Sequence, residues 1–143
     1  ALECNGLITI GVVCNLVSRL IYIRDENNSF MVSDFEGNVV KGIKPDYYKP
    51  KIAIVERSHA SLAICEVLFK EHIKYRSPGA IALSMARARE YSFVLFCGKY
   101  REFDLCAALY ICNDLHVYKG ANFLLVSENK NIFSKLKNLL NNI

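Results

Sequence analysis

No run of apolar residues in this 143-residue chain is long enough to read as a membrane span. Ala1 to Leu20 carries no basic leader ahead of its apolar part, so no secretory signal is expected and a cytoplasmic location is. The six cysteines include no Cys-x-x-Cys pair, and the three histidines (His59, His72 and His116) lie far apart, which removes the spacing of a zinc site. Cys4, Cys14, Cys65, Cys97, Cys106 and Cys112 sit mostly inside apolar stretches, where reduced, buried thiols are expected. Tryptophan is absent, as are internal repeats and low-complexity tracts. Lysine and arginine outnumber the acids by 18 to 14, but they are spread along the chain. Only Arg87/Arg89 and Lys130/Lys135/Lys137 group together. They read as solvated helix faces, not as the dense, aromatic-interleaved stripe of a nucleic-acid surface. Neither a nucleic-acid nor a membrane partner is expected. The net charge of +4 still favours a phosphorylated ligand.

What is present is a folded chain, 52% apolar and 22% charged, of domain size. Ile8 to Cys14, Leu20 to Arg24 and Ser29 to Ser33 read as three short strands joined by polar turns, a meander. Val39 to Lys51, with Gly42, Pro45 and Pro50, reads as a loop or linker. From there strand and helix alternate. Ile52 to Val55, Ile73 to Tyr75, Ser92 to Cys97 and Phe123 to Ser127 are the strands. Helices are expected near 58–71, 79–90, 104–114 and 130–140, with Ser58 as a cap of the first and Pro78 near the first turn of the second. The fold class is α/β, α+β overall: a short antiparallel meander followed by a mixed, mostly parallel sheet flanked by helices.

The most informative stretch is Gly98-Lys99-Tyr100-Arg101-Glu102-Phe103-Asp104-Leu105-Cys106-Ala107-Ala108. A helix beginning near Asp104 places Leu105, Ala108, Leu109 and Cys112 on one apolar face. Asp104 at its start is then either an N-cap or half of a two-part metal site. Arg101, three residues earlier, either meets a phosphate or pairs with that carboxylate. Upstream, Arg76 precedes the Gly79-Ala80 turn. Backbone N–H groups there either point at an anion or simply open a helix. Glu56-Arg57-Ser58-His59 gathers reactive residue types without a Gly-framed nucleophile turn, and reads as a strand end and helix cap.

Phe103-Asp104-Leu105-Cys106-Ala107-Ala108 and Arg76-Ser77-Pro78-Gly79-Ala80-Ile81-Ala82 resemble two motifs of the inositol monophosphatase superfamily, the magnesium-dependent, lithium-sensitive sugar and inositol phosphatases. The first follows the pattern W-D-x-A-A/G, with Phe103 for Trp and Cys106 for the first Ala. The second follows R-x-x-G-S-x-A, with Ala80 in place of Ser. Gly6 to Asn15 is similar to the strand that reads G-V-V-Y-N-P in that family, and Phe123 to Asn129 to its last strand. The spacing from Gly98 to Ala108 looks most like the archaeal branch that handles inositol monophosphate and fructose 1,6-bisphosphate. Leu95 and Cys97 stand where that branch carries an acid and an arginine, and Lys119-Gly120 replaces a Gly-Gly turn.

The resemblance implies the carboxyl-terminal part of an αβαβα sandwich. Residues 1–45 would be a partial sheet of the amino-terminal domain, and 46–143 the carboxyl-terminal α/β domain. It also implies Mg²⁺ as cofactor, a sugar or inositol phosphate as ligand, Asp104 on the metal, and Arg101, Arg76, Gly79 and Ala80 at the substrate. The family's acidic pair and its D-P-[IL]-D-G-T motif have no counterpart here. One carboxylate does not make a Mg²⁺ site. The expectation is therefore a phosphomonoesterase portion that is inactive alone, completed by an amino-terminal half on another chain, or else a non-catalytic remnant kept for binding or assembly. The uncovered meander suggests a homo-oligomer.

Overall fold

The first 40 residues build one antiparallel sheet. The computed structural model describes residues 1–40, 52–56 and 62–142. The strands β1 (Leu2–Cys4), β2 (Leu7–Asn15), β3 (Leu20–Arg24) and β4 (Phe30–Asp34) pair in chain order. Three of the four strands match the expected meander. The additional β1 turns into β2 through Asn5-Gly6, whose φ values of 53° and 79° suit a two-residue hairpin loop. The register lines up Val13, Tyr22 and Val32 on one face and Val12, Ile23 and Met31 on the other.

The second sheet holds β5 (Ile52–Glu56), β6 (Lys74–Arg76), β7 (Val94–Cys97), β8 (His116–Lys119) and β9 (Phe123–Ser127) in the order β6-β5-β7-β9-β8. β5 is parallel to β6 and β7, while β9 is antiparallel to β7 and β8. The sheet is mixed, with as many antiparallel as parallel pairings where mostly parallel ones were expected. The cause is β8, for which the sequence pattern predicts no strand, only a turn at Lys119-Gly120. The chain crosses from β7 to the sheet edge as β8, and a tight return closed by Gly120 N–H to Phe123 O brings β9 back between them.

Among the described residues, four helices cover this sheet: α1 (Leu62–Lys70), α2 (Ile81–Ala86), α3 (Glu102–Ile111) and α4 (Lys130–Leu140). Ala53, Val55, Leu95 and Leu125 face α1 and α4 through Ile64, Leu68, Leu136 and Leu140. Ile54, Val94, Leu124 and Val126 face α2 and α3 through Met85, Leu105, Ala108 and Cys112. Tyr22 and Val32 of the meander close on Ala86 and Ile111, from the opposite side of that same helical layer. The layers therefore run sheet, helices, sheet, helices.

Some boundaries differ from the expected ones. The expected helix 79–90 divides at Arg87 into α2 and a 3₁₀ turn, Ala88–Glu90, which brings Glu90 onto the Arg87 guanidinium. The cap at Ser58, the cluster Arg57-Ser58-His59 and the 45/46 domain boundary lie outside the described residues. α4 starts as expected, and Asn129 caps it by accepting from the N–H groups of Asn131 and Ile132.

Gly11 sets how closely the meander lies on α3. A Cβ there would stand 2.7 Å from the Ala107 carbonyl oxygen, with Tyr110 side-chain atoms at 3.2 and 3.3 Å. A backbone oxygen cannot rotate aside, so Gly11→Ala must separate the layers. It should cost about 1–3 kcal/mol in urea unfolding, the usual range for overpacking. A neutral Gly11→Ala would mean that the sheet does not rest on α3 at this point.

Candidate functional site

The parallel strands β5, β6 and β7 all end on one edge of the sheet, where the loops to α2 and α3 begin. In open α/β sheets, that edge is where ligands bind. β5 ends on Glu56, a carboxylate only 1% exposed. Its Oε2 accepts from Gly79 N–H at 2.8 Å, and its Oε1 accepts from Ala80 N–H at 3.3 Å and from the Ser84 hydroxyl at 2.5 Å. The sharp turn this requires puts Gly79 at φ +80°, where only glycine sits without strain. So the N–H groups expected to face an anion are held by the chain's own buried acid. Burying an unpaired carboxylate would be costly, and these three donors offset that cost.

Asp104 lies in the first turn of α3, two residues inside the helix start, so it is not the N-cap. Arg101 occupies the cap position and makes no side-chain cap bond. The Asp104 carboxylate still benefits from the helix dipole, and it accepts from Arg101 Nε at 2.8 Å. Both partners are well exposed, and the Arg101 guanidinium also lies 4.9 Å from the centre of the Phe103 ring. The open alternative for Arg101 therefore takes its internal form here, a pair with Asp104. Arg76 closes the exposed strand β6.

The structure thus gathers the site residues into two sets on the same edge, Glu56–Gly79–Ala80–Ser84 and Arg101–Asp104. Among the described residues, no group of three or more His, Cys, Asp or Glu side chains could hold a metal ion. Asp104 is a single carboxylate already engaged by a guanidinium, and the described residues do not fit a Mg²⁺ site by themselves. Leu95 and Cys97 are packed in the core against α1 and α4. Sequence reasoning missed the part played by Glu56. The available signal was a lone acid ending the apolar run Ile52 to Val55. It also took Arg89 for a solvated residue, whereas only 14% of its side chain is exposed.

No family model and no curated protein matches this sequence. Solved structures do. SuhB of Mycobacterium tuberculosis superposes over 98% of this chain with a TM-score of 0.70 at 17% identity. An inositol monophosphatase family protein of Staphylococcus aureus covers 93% at TM-score 0.71 and 18% identity. An inositol monophosphatase–fructose 1,6-bisphosphatase, the MJ0109 gene product, covers 94% at 0.69 and 18%. This chain has the inositol monophosphatase-like fold, an antiparallel sheet and a mixed sheet layered with helices. It spans 61%, 56% and 58% of the lengths of those three proteins, respectively.

If Glu56 organises the turn before α2, Glu56→Gln leaves three donors competing for a single oxygen. The variant should lose about 1.5–3 kcal/mol of stability, as for hydrogen bonds to a charged group. Amide exchange at Gly79 and Ala80 should rise more than in β7. Unchanged protection at those two amides would remove Glu56 from this role.

Proposed function

We propose that this chain is the carboxyl-terminal portion of a Mg²⁺-dependent phosphomonoesterase, of the branch acting on inositol monophosphate or fructose 1,6-bisphosphate. The reading is carried by one observation: the phosphatase-like fold extends over nearly the whole chain with Asp104 in the first turn of α3, on the ligand edge of the sheet. In this reading Asp104 is one metal ligand. Arg101 swings from it to the substrate phosphate, Arg76 adds positive charge nearby, and the Gly79-Ala80 turn seats the sugar. The acidic pair and the remaining metal carboxylates come from a segment outside these residues, and the chain has no turnover without them. A neighbour of the same fold is described as a dual-specific inositol monophosphatase/NADP phosphatase bound with D-inositol-1-phosphate, and another as complexed with NADP and Ca²⁺. These neighbours support a phosphorylated polyol and a divalent cation as the ligands to test.

The second reading is a non-catalytic remnant that keeps the fold for binding or assembly. It is favoured by the engagement of both turn N–H groups with Glu56 and by the burial of Leu95 and Cys97. Both readings allow self-association through the apolar outer row of the meander, where Val12 is 41% exposed. Both also fit a cytoplasmic location. No helix among the described residues is long and apolar enough to cross a membrane.

Phosphate release from inositol 1-phosphate and fructose 1,6-bisphosphate separates the two. Alone, the chain should show no turnover above background in millimolar Mg²⁺. Supplied with an amino-terminal half carrying the acidic pair and D-P-[IL]-D-G-T, it should hydrolyse substrate, and Asp104→Asn should remove most of that activity without unfolding α3. Robust turnover by the chain alone contradicts the incomplete site. Full activity of the Asn variant removes Asp104 from the metal.

A further inference from the structure

The turn that joins β1 to β2 carries the one Asn-Gly pair of the chain, Asn5-Gly6. Both residues are exposed, at φ values of 53° and 79°. No hydrogen bond among the described residues engages the Asn5 side chain or the Gly6 N–H. A Cβ placed on Gly6 would meet nothing within 4 Å, so nothing crowds the backbone at this point.

Asparagine followed by glycine is the asparagine most prone to lose its side-chain amide. The backbone nitrogen of the next residue attacks the side-chain carbonyl carbon, the amide nitrogen leaves as ammonia, and a five-membered succinimide closes. Water then opens one or the other carbonyl of that ring, giving aspartate or isoaspartate. No oxidant or reductant is involved, because amide and water become carboxylate and ammonium. A glycine at the attacking position has no side chain to hinder the closure. The chain holds its own comparison. Asn28-Ser29 is the other asparagine followed by a small residue, with Asn28 at φ 62°. There the attacking nitrogen is occupied, since Ser29 N–H donates to Asp25 Oδ1 at 2.8 Å. The Asn28 side-chain oxygen is held as well, accepting from Arg24 Nη1 at 3.0 Å and from Asn113 Nδ2 at 2.6 Å. Asn5 has neither restraint.

We infer that Asn5 is the deamidation site of this chain, and that its conversion to isoaspartate releases β1 from β2. The closed left-handed turn keeps Gly6 N from the side-chain carbon, so the reaction proceeds through opening of the hairpin. β1 opens readily. Its three residues are all exposed, its pairing with β2 shifts register between Leu2 and Glu3, and it lies at the sheet edge among the described strands. The side-chain contacts across it are long, with Thr9 Oγ1 at 3.4 Å from Leu2 O and 3.9 Å from Cys4 Sγ. Isoaspartate routes the main chain through the former side chain and so lengthens it by one carbon. A two-residue hairpin loop has no room for that atom, because its length and dihedral angles fix the strand register. Residues 7–10 of β2 pair with β1 and residues 11–15 with β3. With β1 released, residues 7–10 become an open sheet edge. This chemistry does not depend on the phosphatase reading.

The whole chain, aged in warm, mildly alkaline buffer, is followed by peptide mapping with methyltransferase labelling of isoaspartate. Asn5 should convert ahead of every other asparagine, with isoaspartate as the major product. In the separated isoaspartate form, amide exchange at residues 7–10 should rise roughly tenfold or more, while residues 12–15 keep their protection. Asn5→Gln, aged in parallel, should show neither change, because its longer side chain closes a ring far more slowly. Asn28 converting as early as Asn5, Asn5 still intact at the end of the ageing, or aspartate as the main product would each overturn the assignment. So would unchanged exchange at residues 7–10 in the isoaspartate form, or the same rise in aged Asn5→Gln.

Discussion

The helical layer α2–α3 is apolar on two sides, and the rest of the structure depends on that. Leu105, Ala108 and Cys112 press on one sheet while Ile111, from the same helix, presses on Tyr22 and Val32 of the other. A helix with one polar face could join only one of these sheets. Gly11 is required by the same constraint, since the meander meets the backbone of α3 rather than its side-chain tips. With the layer in place, the starts of α2 and α3 are carried to a common edge of the mixed sheet. That positions the Glu56-held turn and Asp104 on the same edge.

The same layer explains why the polar residues divide as they do. Glu56 and Arg24 are each drawn into the interior, and each is matched by donors or acceptors from several elements. Glu56 is met by a turn and a helix, and Arg24 by a helix end and a hairpin loop. Asp104 and Arg101 stay outside this system, on an exposed helix start, where their pairing is worth little to stability. An exposed ion pair that contributes little to the fold can be broken at low cost, and the proposed phosphatase role requires that of it.

Much of the fold was legible from the sequence. The alternation in Leu20–Arg24 and the apolar run Phe123–Ser127 give strands at their observed bounds, and the periodicity of 130–140 gives α4. What escaped had physical causes. β1 is three exposed residues with no apolar pattern, although Asn5-Gly6 is itself a strong hairpin signal. β8 is His-Val-Tyr-Lys at a sheet edge, half-buried and too short to show a period. The division of α2 at Arg87 depends on a tertiary demand, the burial of Ala88 together with an Arg87–Glu90 pair, which helix propensity does not record. At the candidate site, Asp104 could be placed near a helix start from its motif, whereas the capture of two N–H groups by Glu56 joins residues 23 and 24 positions apart. Local reading does not reach that far.

The central claim is that Asp104 is one carboxylate of a metal site that these residues do not complete. Calorimetric titration of Mg²⁺ into the chain, alongside Asp104→Asn, tests it most directly. The account predicts no saturable binding in the low-millimolar range for either protein, since water must supply nearly the whole octahedron. Stoichiometric binding at micromolar Mg²⁺ that disappears in the Asn variant would contradict it.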